Sequence, residues 1–207
     1  MATGTIASED GKTSGAVRVT LAADGTYGFD LTDFATKRTG DVELLLNPVA
    51  LGPAETCLDT GFRVTLGRLS ADATQDFHLG DMVDIAGGDP TFLDEVVLTQ
   101  VIPADVENDC AATVVAAAPL TWTLPDRRPD LTVVDSGPAD GANGTVALDG
   151  TTPLTYTVAD GDTLELIAER FGITTDDVFY LNPTRIPNPK DPIAHTGEIF
   201  NLSKAHR

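Results

Sequence analysis

Carboxylate side chains are the main candidates for catalysis in this sequence of 207 residues. Asp94 is adjacent to Glu95, and Asp176 is adjacent to Asp177. Two carboxyls can act as acid and base in glycoside hydrolysis when they face each other across a cleft, which adjacency in sequence does not establish. The usual nucleophile-elbow, phosphate-loop, dinucleotide and zinc-protease motifs do not occur. The sequence therefore predicts no catalytic residue.

A second acidic group raises the question of a metal site. Asp81, Asp84 and Asp89 flank two glycines and offer the oxygen ligands that Ca²⁺ prefers. Their spacing does not match an EF-hand loop, and a solvated acidic loop explains them more simply. Two cysteines and three scattered histidines do not make a zinc site. We expect neither a metal nor a cofactor.

The two cysteines, Cys57 and Cys110, lie in loop-like stretches among carboxylates. Nearby negative charge raises the pKa of a thiol and makes it a poorer nucleophile. An even number of cysteines in loops suits one disulfide outside the reducing cytosol. We predict this disulfide, with a pair of inert thiols as the alternative.

The charge of the chain restricts its partners. There are 32 acidic and 13 basic residues, for a net charge of −19. Such a charge repels phosphate backbones, so nucleic-acid binding is not expected. No apolar run is long enough to span a membrane. The first residues lack the basic and apolar regions of a signal peptide, so we expect either a removed export signal or export without one.

Local patterns in the last fifty residues predict two short helices between two strands. Residues 156–158 form a brief strand that Gly161 ends. Asp162 stands three residues before Glu165, the spacing of an N-cap with its partner in the first turn. The helix that follows has one apolar face and should end at a glycine, Gly172. That face consists of Leu164, Ile167, Ala168 and Phe171.

The second helix repeats this pattern. Thr174 and Asp177 have the capping spacing. Pro183 disfavours helical geometry in the residue before it, so the helix should end by Asn182. After a longer segment, residues 197–202 read as a second strand that can pair with the first.

These motifs, in this order, resemble the LysM module over roughly Leu154 to Ser203. The resemblance implies a small βααβ fold that recognises N-acetylglucosamine-containing glycans, such as peptidoglycan or chitin-like polymers. The motifs are Tyr-Thr-Val at 156–158, Gly-Asp-Thr at 161–163, Ile-Ala at 167–168, Phe-Gly at 171–172, Leu-Asn-Pro at 181–183 and Gly-Glu-x-Phe-x-Leu at 197–202.

The resemblance also implies where the sugar binds. LysM domains hold it in a shallow groove between the loop after the first strand and the loop after the second helix. Residues 184–196 are longer and richer in proline than is usual in the family, and they could cover or widen the groove. The alternative is that several of these residues only cap helices and shape turns. The implied glycan-binding residues are Ala159, Asp160, Gly161, Asp162, Thr163, Asn182, Pro183 and Thr184.

The first part of the chain, residues 15–134, has short strand-like segments separated by glycine, proline and aspartate. This pattern favours an antiparallel β-sandwich. Its motifs weakly resemble DM-thirteen β-sandwich domains, some of which transfer electrons through a cysteine in a late strand. The matching strand at 96–102 has no cysteine, so only the fold is implied. The motifs are Ser14-Gly-Ala-Val-Arg-Val, Leu31-Thr-Asp-Phe34, Gly40-Asp-Val-Glu-Leu-Leu-Leu46, Leu66-Gly-Arg-Leu69 and Ala118-Pro-Leu120.

Together these patterns predict an N-terminal arm (1–14), an acidic β-sandwich domain (15–134), a linker (135–153) and a LysM-like α+β domain (154–207). We expect a non-catalytic, extracytoplasmic protein that binds peptidoglycan at a bacterial cell wall. The alternative is a structural protein of a phage virion, on capsid or tail, whose LysM-like part docks to a neighbouring subunit or to the host wall. A cell-wall hydrolase with an unrecognised active site is the third hypothesis.

Overall fold

The computed structural model describes residues 1–51, 56–58, 61–79, 89–101, 112–185, 188 and 190–207. The chain forms two compact units, the first made of Met1–Asp81 with Pro90–Pro125 and the second of Met82–Asp89 with Asp126–Arg207. Antiparallel sheets dominate the described residues, which contain two α-helices, both in the second unit.

The first unit contains two antiparallel sheets of five strands each, in the orders β10-β1-β2-β3-β7 and β5-β9-β8-β4-β6. The predicted stacking of these sheets as a sandwich stays a prediction. The strands of the first sheet are β1 (Ala2–Ala7), β2 (Thr13–Leu21), β3 (Tyr27–Thr36), β7 (Gln75–His78) and β10 (Thr121–Trp122). Those of the second are β4 (Val42–Asn47), β5 (Cys57–Leu58), β6 (Val64–Arg68), β8 (Glu95–Gln100) and β9 (Ala112–Pro119).

Side-chain alternation explains how the first sheet is oriented. Val17 and Val19 on β2, and Phe29 and Leu31 on β3, are buried, while the residues between them are more exposed. A strand with one covered face has this period of two. The turn between these strands contains Gly25 at a φ of 87°, which glycine adopts without steric cost.

Strand β1 was not predicted, because its residues were assigned to an N-terminal arm. It pairs antiparallel with β2 and with β10, and Ala2 is the partner of both Val19 and Trp122. Thr123 donates its amide to the carbonyl of Met1 over 2.8 Å. The small residues of this strand give a weak local signal, and neighbouring strands determine its conformation.

The second unit contains a three-stranded antiparallel sheet and both helices. The strands are β11 (Thr145–Asp149), β12 (Thr152–Thr157) and β13 (Ile199–Asn201), and the helices are α1 (Leu164–Arg170) and α2 (Thr175–Leu181). β12 is central in the sheet. Tyr156, Phe171 and Phe200 are fully buried in the core. The predicted apolar face of the first helix is confirmed, since all four of its residues are buried.

Residues 126–144 also belong to the second unit, although part of this segment was predicted to be a linker. The amides of Val134 and Ser136 donate to the carbonyls at the end of α1, over 3.1 and 3.0 Å. Arg170 holds Asp135 through two hydrogen bonds of 2.7 and 3.0 Å. Hydrogen bonds thus fix a segment that has few large apolar residues.

The structure describes only one of the two cysteines in the predicted disulfide. Cys57 is disulfide-bonded, and no described cysteine is free. Cys110 lies outside the described residues. The pairing of Cys57 with Cys110 therefore stays a prediction.

No helix among the described residues is long and apolar enough to cross a bilayer.

A substitution at Gly144 tests how tightly the segment before β11 is packed. A Cβ atom there would lie 2.1 Å from the carbonyl oxygen of Thr157 and 2.5 Å from the Tyr156 ring. We predict that Gly144→Ala lowers the free energy of unfolding by about 3 kcal/mol, because the backbone must move. Gly150→Ala is the control, since its Cβ would meet nothing within 4 Å at a φ of +62°; it should cost about 1 kcal/mol. Equal losses in urea unfolding would contradict this packing.

Candidate functional site

The loop between β12 and α1 is the first half of the predicted groove. Thr163 is the N-cap of α1, and its hydroxyl accepts a hydrogen bond from the amide of Leu166 over 3.4 Å. The sequence predicted Asp162 as the N-cap, and this prediction is wrong. Asp162 turns into the unit instead, because buried donors offer it more hydrogen bonds than the helix end does.

The Asp162 carboxylate joins three segments of the unit. Its Oδ2 accepts from the hydroxyl of Tyr156 over 2.5 Å and from the amide of Ala159 over 2.7 Å. The amide of Gly144 donates to the same oxygen over 3.2 Å, and the amide of Asn143 donates to Oδ1 over 2.7 Å. The carboxylate therefore holds the loop from inside the unit, where it is buried.

The pKa values of this group follow from its partners. Burial alone would raise the pKa of Asp162, but the hydrogen bonds from Tyr156 and from the three amides outweigh burial and lower it. Burial, followed by the bond to Asp162, raises the pKa of Tyr156 to about 12. The site therefore holds an ionised carboxylate against a neutral phenol at neutral pH.

Arg170 extends this hydrogen-bond network from α1 to the segment before β11. Its side chain is 4% exposed, and its guanidinium donates to the carbonyls of Ala142 and Gly144 over 2.8 and 3.0 Å. The guanidinium carbon also lies 5.4 Å from the ring centres of Tyr156 and Phe171. A positive charge over an aromatic face is attractive. Sequence reasoning missed Arg170, because only its long-range partners mark it as structural.

The outer side of the same loop is open. Asp160, Gly161 and Thr163 are exposed, and Ala159 is half-buried. In the part of the chain that the structure describes, the amides of Asp160 and Gly161 have no hydrogen-bond partner. Gly161 has a φ of 81°, which turns the backbone outward. The loop thus presents free backbone donors on a framework fixed from inside.

The second half of the predicted groove begins at the end of α2. Asn182 is the C-cap, and its amide group donates to the carbonyls of Val178 and Asn201 over 2.8 and 3.0 Å. Its Oδ1 accepts from the amide of Asn201 over 2.7 Å. Pro183 is buried and Thr184 is exposed. Of these three predicted site residues, only Thr184 is accessible to a ligand.

The long segment after α2 is held by a buried arginine. Arg185 donates to both oxygens of Glu198 over 2.7 and 3.1 Å. It also donates to the carbonyls of Asp191 and Ile193 over 2.7 and 3.0 Å. Its guanidinium carbon lies 4.9 Å from the ring centre of Phe200. Residues 186, 187 and 189 lie outside the described residues.

The end of this segment meets the first loop directly. Val158 donates its amide to the carbonyl of Glu198, and Gly197 donates its amide to the carbonyl of Val158, both over 2.9 Å. Glu198 is also the partner of Arg185. The loop that begins at Ala159 and the segment that follows Asn182 are therefore linked through one salt bridge and one pair of backbone hydrogen bonds.

Two of the four carboxylates considered for catalysis, Glu95 and Asp177, have structural partners. Glu95 is buried and accepts a hydrogen bond from the amide of Leu51 over 2.8 Å. Asp177 and Thr174 form the predicted capping box, which is confirmed. Burial raises the pKa of Asp94.

The aspartates considered as calcium ligands do not form a site among the described residues. Asp81 and Asp84 lie outside them, and Asp89 forms a salt bridge of 3.1 Å with Arg207. Nowhere in the described ranges do three histidine, cysteine or acidic side chains cluster as metal ligands would.

Asp162 should make the stability of the protein depend on acid pH. A lowered pKa in the folded state stabilises the fold above the ordinary carboxyl pKa, and this contribution is lost as the pH falls through the folded pKa. We predict that Asp162→Asn lowers the free energy of unfolding by about 2 kcal/mol at neutral pH, because buried donors lose their charged acceptor. Its loss of stability on acidification should be smaller than that of the wild type.

The exposed Asp149 provides a control of the same chemistry, and Asp149→Asn should unfold in urea like the wild type at neutral pH. Wild-type stability of Asp162→Asn at neutral pH would contradict the role given to this carboxylate.

Tyr156 should be visible in an alkaline titration. The sequence has three tyrosines, and Tyr156 has a pKa of about 12. Because this pKa is raised in the folded state, its contribution to stability is present below pH 10 and is lost as the pH rises towards 12. Tyrosinate absorbance should show a step near pH 12 that Tyr156→Phe removes. A step that persists in Tyr156→Phe would assign it to another tyrosine.

The chain matches no curated protein and no solved structure. The weak likeness of the first unit to DM-thirteen domains stays a prediction. A family model described as LysM domain matches residues 156–195, which run from the end of β12 through both helices into the long segment. The second unit therefore contains a LysM domain.

Proposed function

We propose that this protein binds N-acetylglucosamine-containing glycans, such as peptidoglycan, through its LysM domain and without catalysis. The observation that carries the proposal is the match of residues 156–195 to the LysM family. The proposed place of action is outside the cytoplasm, at a bacterial cell wall.

The first loop offers suitable chemistry for an acetamido sugar. The free amides of Asp160 and Gly161 can donate to the carbonyl oxygen of an acetamido group. Thr163 adds an exposed hydroxyl beside them. Because Asp162 fixes the loop from inside, little conformational entropy would be lost when a sugar binds there.

The segment after α2 would form the opposite side of the groove. Thr184 is its exposed hydroxyl, and the neighbouring Arg185 is held by Glu198. This clamp fixes the direction in which the long segment leaves α2. We therefore assign contact with the sugar to Asp160, Gly161, Thr163 and Thr184, and a supporting role to Asp162, Asn182 and Pro183.

The charge of the protein agrees with an uncharged ligand. At a net charge of −19, long-range repulsion disfavours phosphate-rich polymers of the cell surface. N-acetylglucosamine carries no charge, so it does not experience this repulsion. Hydrogen bonding from backbone amides is also largely independent of salt.

A matched pair of charge reversals tests the proposed groove. Asp160 and Asp149 are both exposed and lie beyond opposite ends of β12, which is six residues long; this separates them by about 20 Å. We predict that Asp160→Arg weakens binding of an N-acetylglucosamine tetramer at least tenfold, because the arginine side chain covers the free amides. Asp149→Arg makes the same change of charge and should alter the affinity less than twofold. Calorimetry on the full chain measures both.

Two outcomes would contradict the proposal. The first is a wild-type chain that insoluble peptidoglycan fails to retain. The second is an equal loss of affinity in Asp160→Arg and Asp149→Arg, which would mean that net charge rather than the groove controls binding. Clearing of purified walls in a zymogram would contradict the non-catalytic part of the proposal.

A further inference from the structure

The outer face of the first sheet has a depression of about 550 Å³ in the first unit. Most of its polar lining consists of threonines from β1, β3 and β10. We call this lining the threonine face; it consists of Thr3, Thr5, Ala16, Arg18, Thr32 and Thr121.

Strand register brings these residues onto one face. Thr3 on β1 is opposite Arg18 on β2 and Thr121 on β10. Ala16 on β2 is opposite Thr5 on β1 and Thr32 on β3. Directly opposite residues point to the same side of a sheet, with Cβ atoms about 5 Å apart. The side chains form two adjacent rows across the strands, Thr121–Thr3–Arg18 and Thr5–Ala16–Thr32. The small methyl group of Ala16 leaves space between the larger side chains.

Several polar groups of this face are free. In the described residues, the hydroxyls of Thr3, Thr5 and Thr121 have no hydrogen-bond partner, and neither does the guanidinium of Arg18. Thr32 makes one long bond of 3.4 Å to the carbonyl of Ala16.

Among the described residues that line the depression, Arg18 is the only charged one. Asp30 is opposite Arg18 in the register, yet no described salt bridge joins them within 4.0 Å. The guanidinium therefore makes no described ion pair, and the other described polar side chains that line the depression are threonine hydroxyls.

We propose that the threonine face is a second saccharide-binding site, which takes an uncharged sugar. Hydroxyls of threonine can both donate to and accept from sugar hydroxyls. The guanidinium has five donors in a fixed planar arrangement, which suits the ring oxygen, hydroxyl or acetamido oxygens of a sugar. The net charge of −19 disfavours an anionic ligand at long range.

A second site would increase the retention of the protein on a polymer. Two weak contacts on one chain bind a long glycan more tightly than either does alone, because the second contact forms at high effective concentration. The inference depends on the proposed function only for the choice of an N-acetylglucosamine oligomer as probe. The two sites can be read separately.

Amide chemical shifts of the full chain, titrated with an N-acetylglucosamine tetramer, test the site. We expect shifts at Thr3, Thr5 and Ala16 that saturate independently of those at Gly161. Ala16→Trp fills the depression and should weaken binding at the threonine face at least tenfold, while it changes binding at the LysM domain less than twofold. Arg18→Gln should weaken binding at the threonine face about fivefold.

Ala35→Trp is the matched control, because Ala35 is an exposed alanine near the end of β3 in the same sheet. It lies three residues along that strand from the partner of Ala16, a distance of about 10 Å. This variant should retain both binding events. Shifts at Gly161 without shifts at the threonine face would overturn the second site and leave the LysM proposal intact. Tighter binding of a polygalacturonate oligomer at this face would overturn its assignment to an uncharged sugar.

Discussion

One buried carboxylate determines the shape of the LysM loop. Asp162 accepts hydrogen bonds from β12, from its own loop and from the segment before β11, through the Tyr156 hydroxyl and the amides of Ala159, Asn143 and Gly144. An ionised buried carboxylate is stable only when it is surrounded by donors in this way. Because these donors come from inside the unit, the backbone of the loop is left facing outward, where a ligand can reach it.

Two buried arginines cross-link segments of the second unit and so add stability that its small core does not supply. A small unit buries little apolar surface, so it depends on additional cross-links. Arg170 holds the segment at 135–144 against α1, and Arg185 holds the long segment against β13 through Glu198. Both guanidiniums also lie near aromatic rings of the core. The unit thus extends beyond the matched residues 156–195, since the segment at 135–144 and the Glu198 partner of Arg185 lie outside them.

Features that depend on neighbours in sequence were predictable, and features that depend on distant partners were not. The capping box at Thr174, the left-handed Gly172 and the apolar face of α1 follow from local spacing. Asp162 has the same spacing as a cap, but its distant partners decide where it points. Strand β1 and the segment at 126–144 have weak local patterns, because hydrogen bonds to other segments hold them. Four of the eight predicted groove residues are exposed, and Asp162, Asn182 and Pro183 are buried. Hydrogen bonds to distant segments turn Asp162 and Asn182 inward, which local spacing does not reveal.

The most direct measurement is a set of intermolecular nuclear Overhauser effects between an N-acetylglucosamine tetramer and the full chain. If the loop held by Asp162 binds the acetamido group, the acetyl methyl protons of the sugar will lie close to the α-protons of Gly161 and the methyl group of Thr184. Contacts from the acetyl methyl to protons elsewhere on the LysM domain, with none to these two residues, would contradict that account.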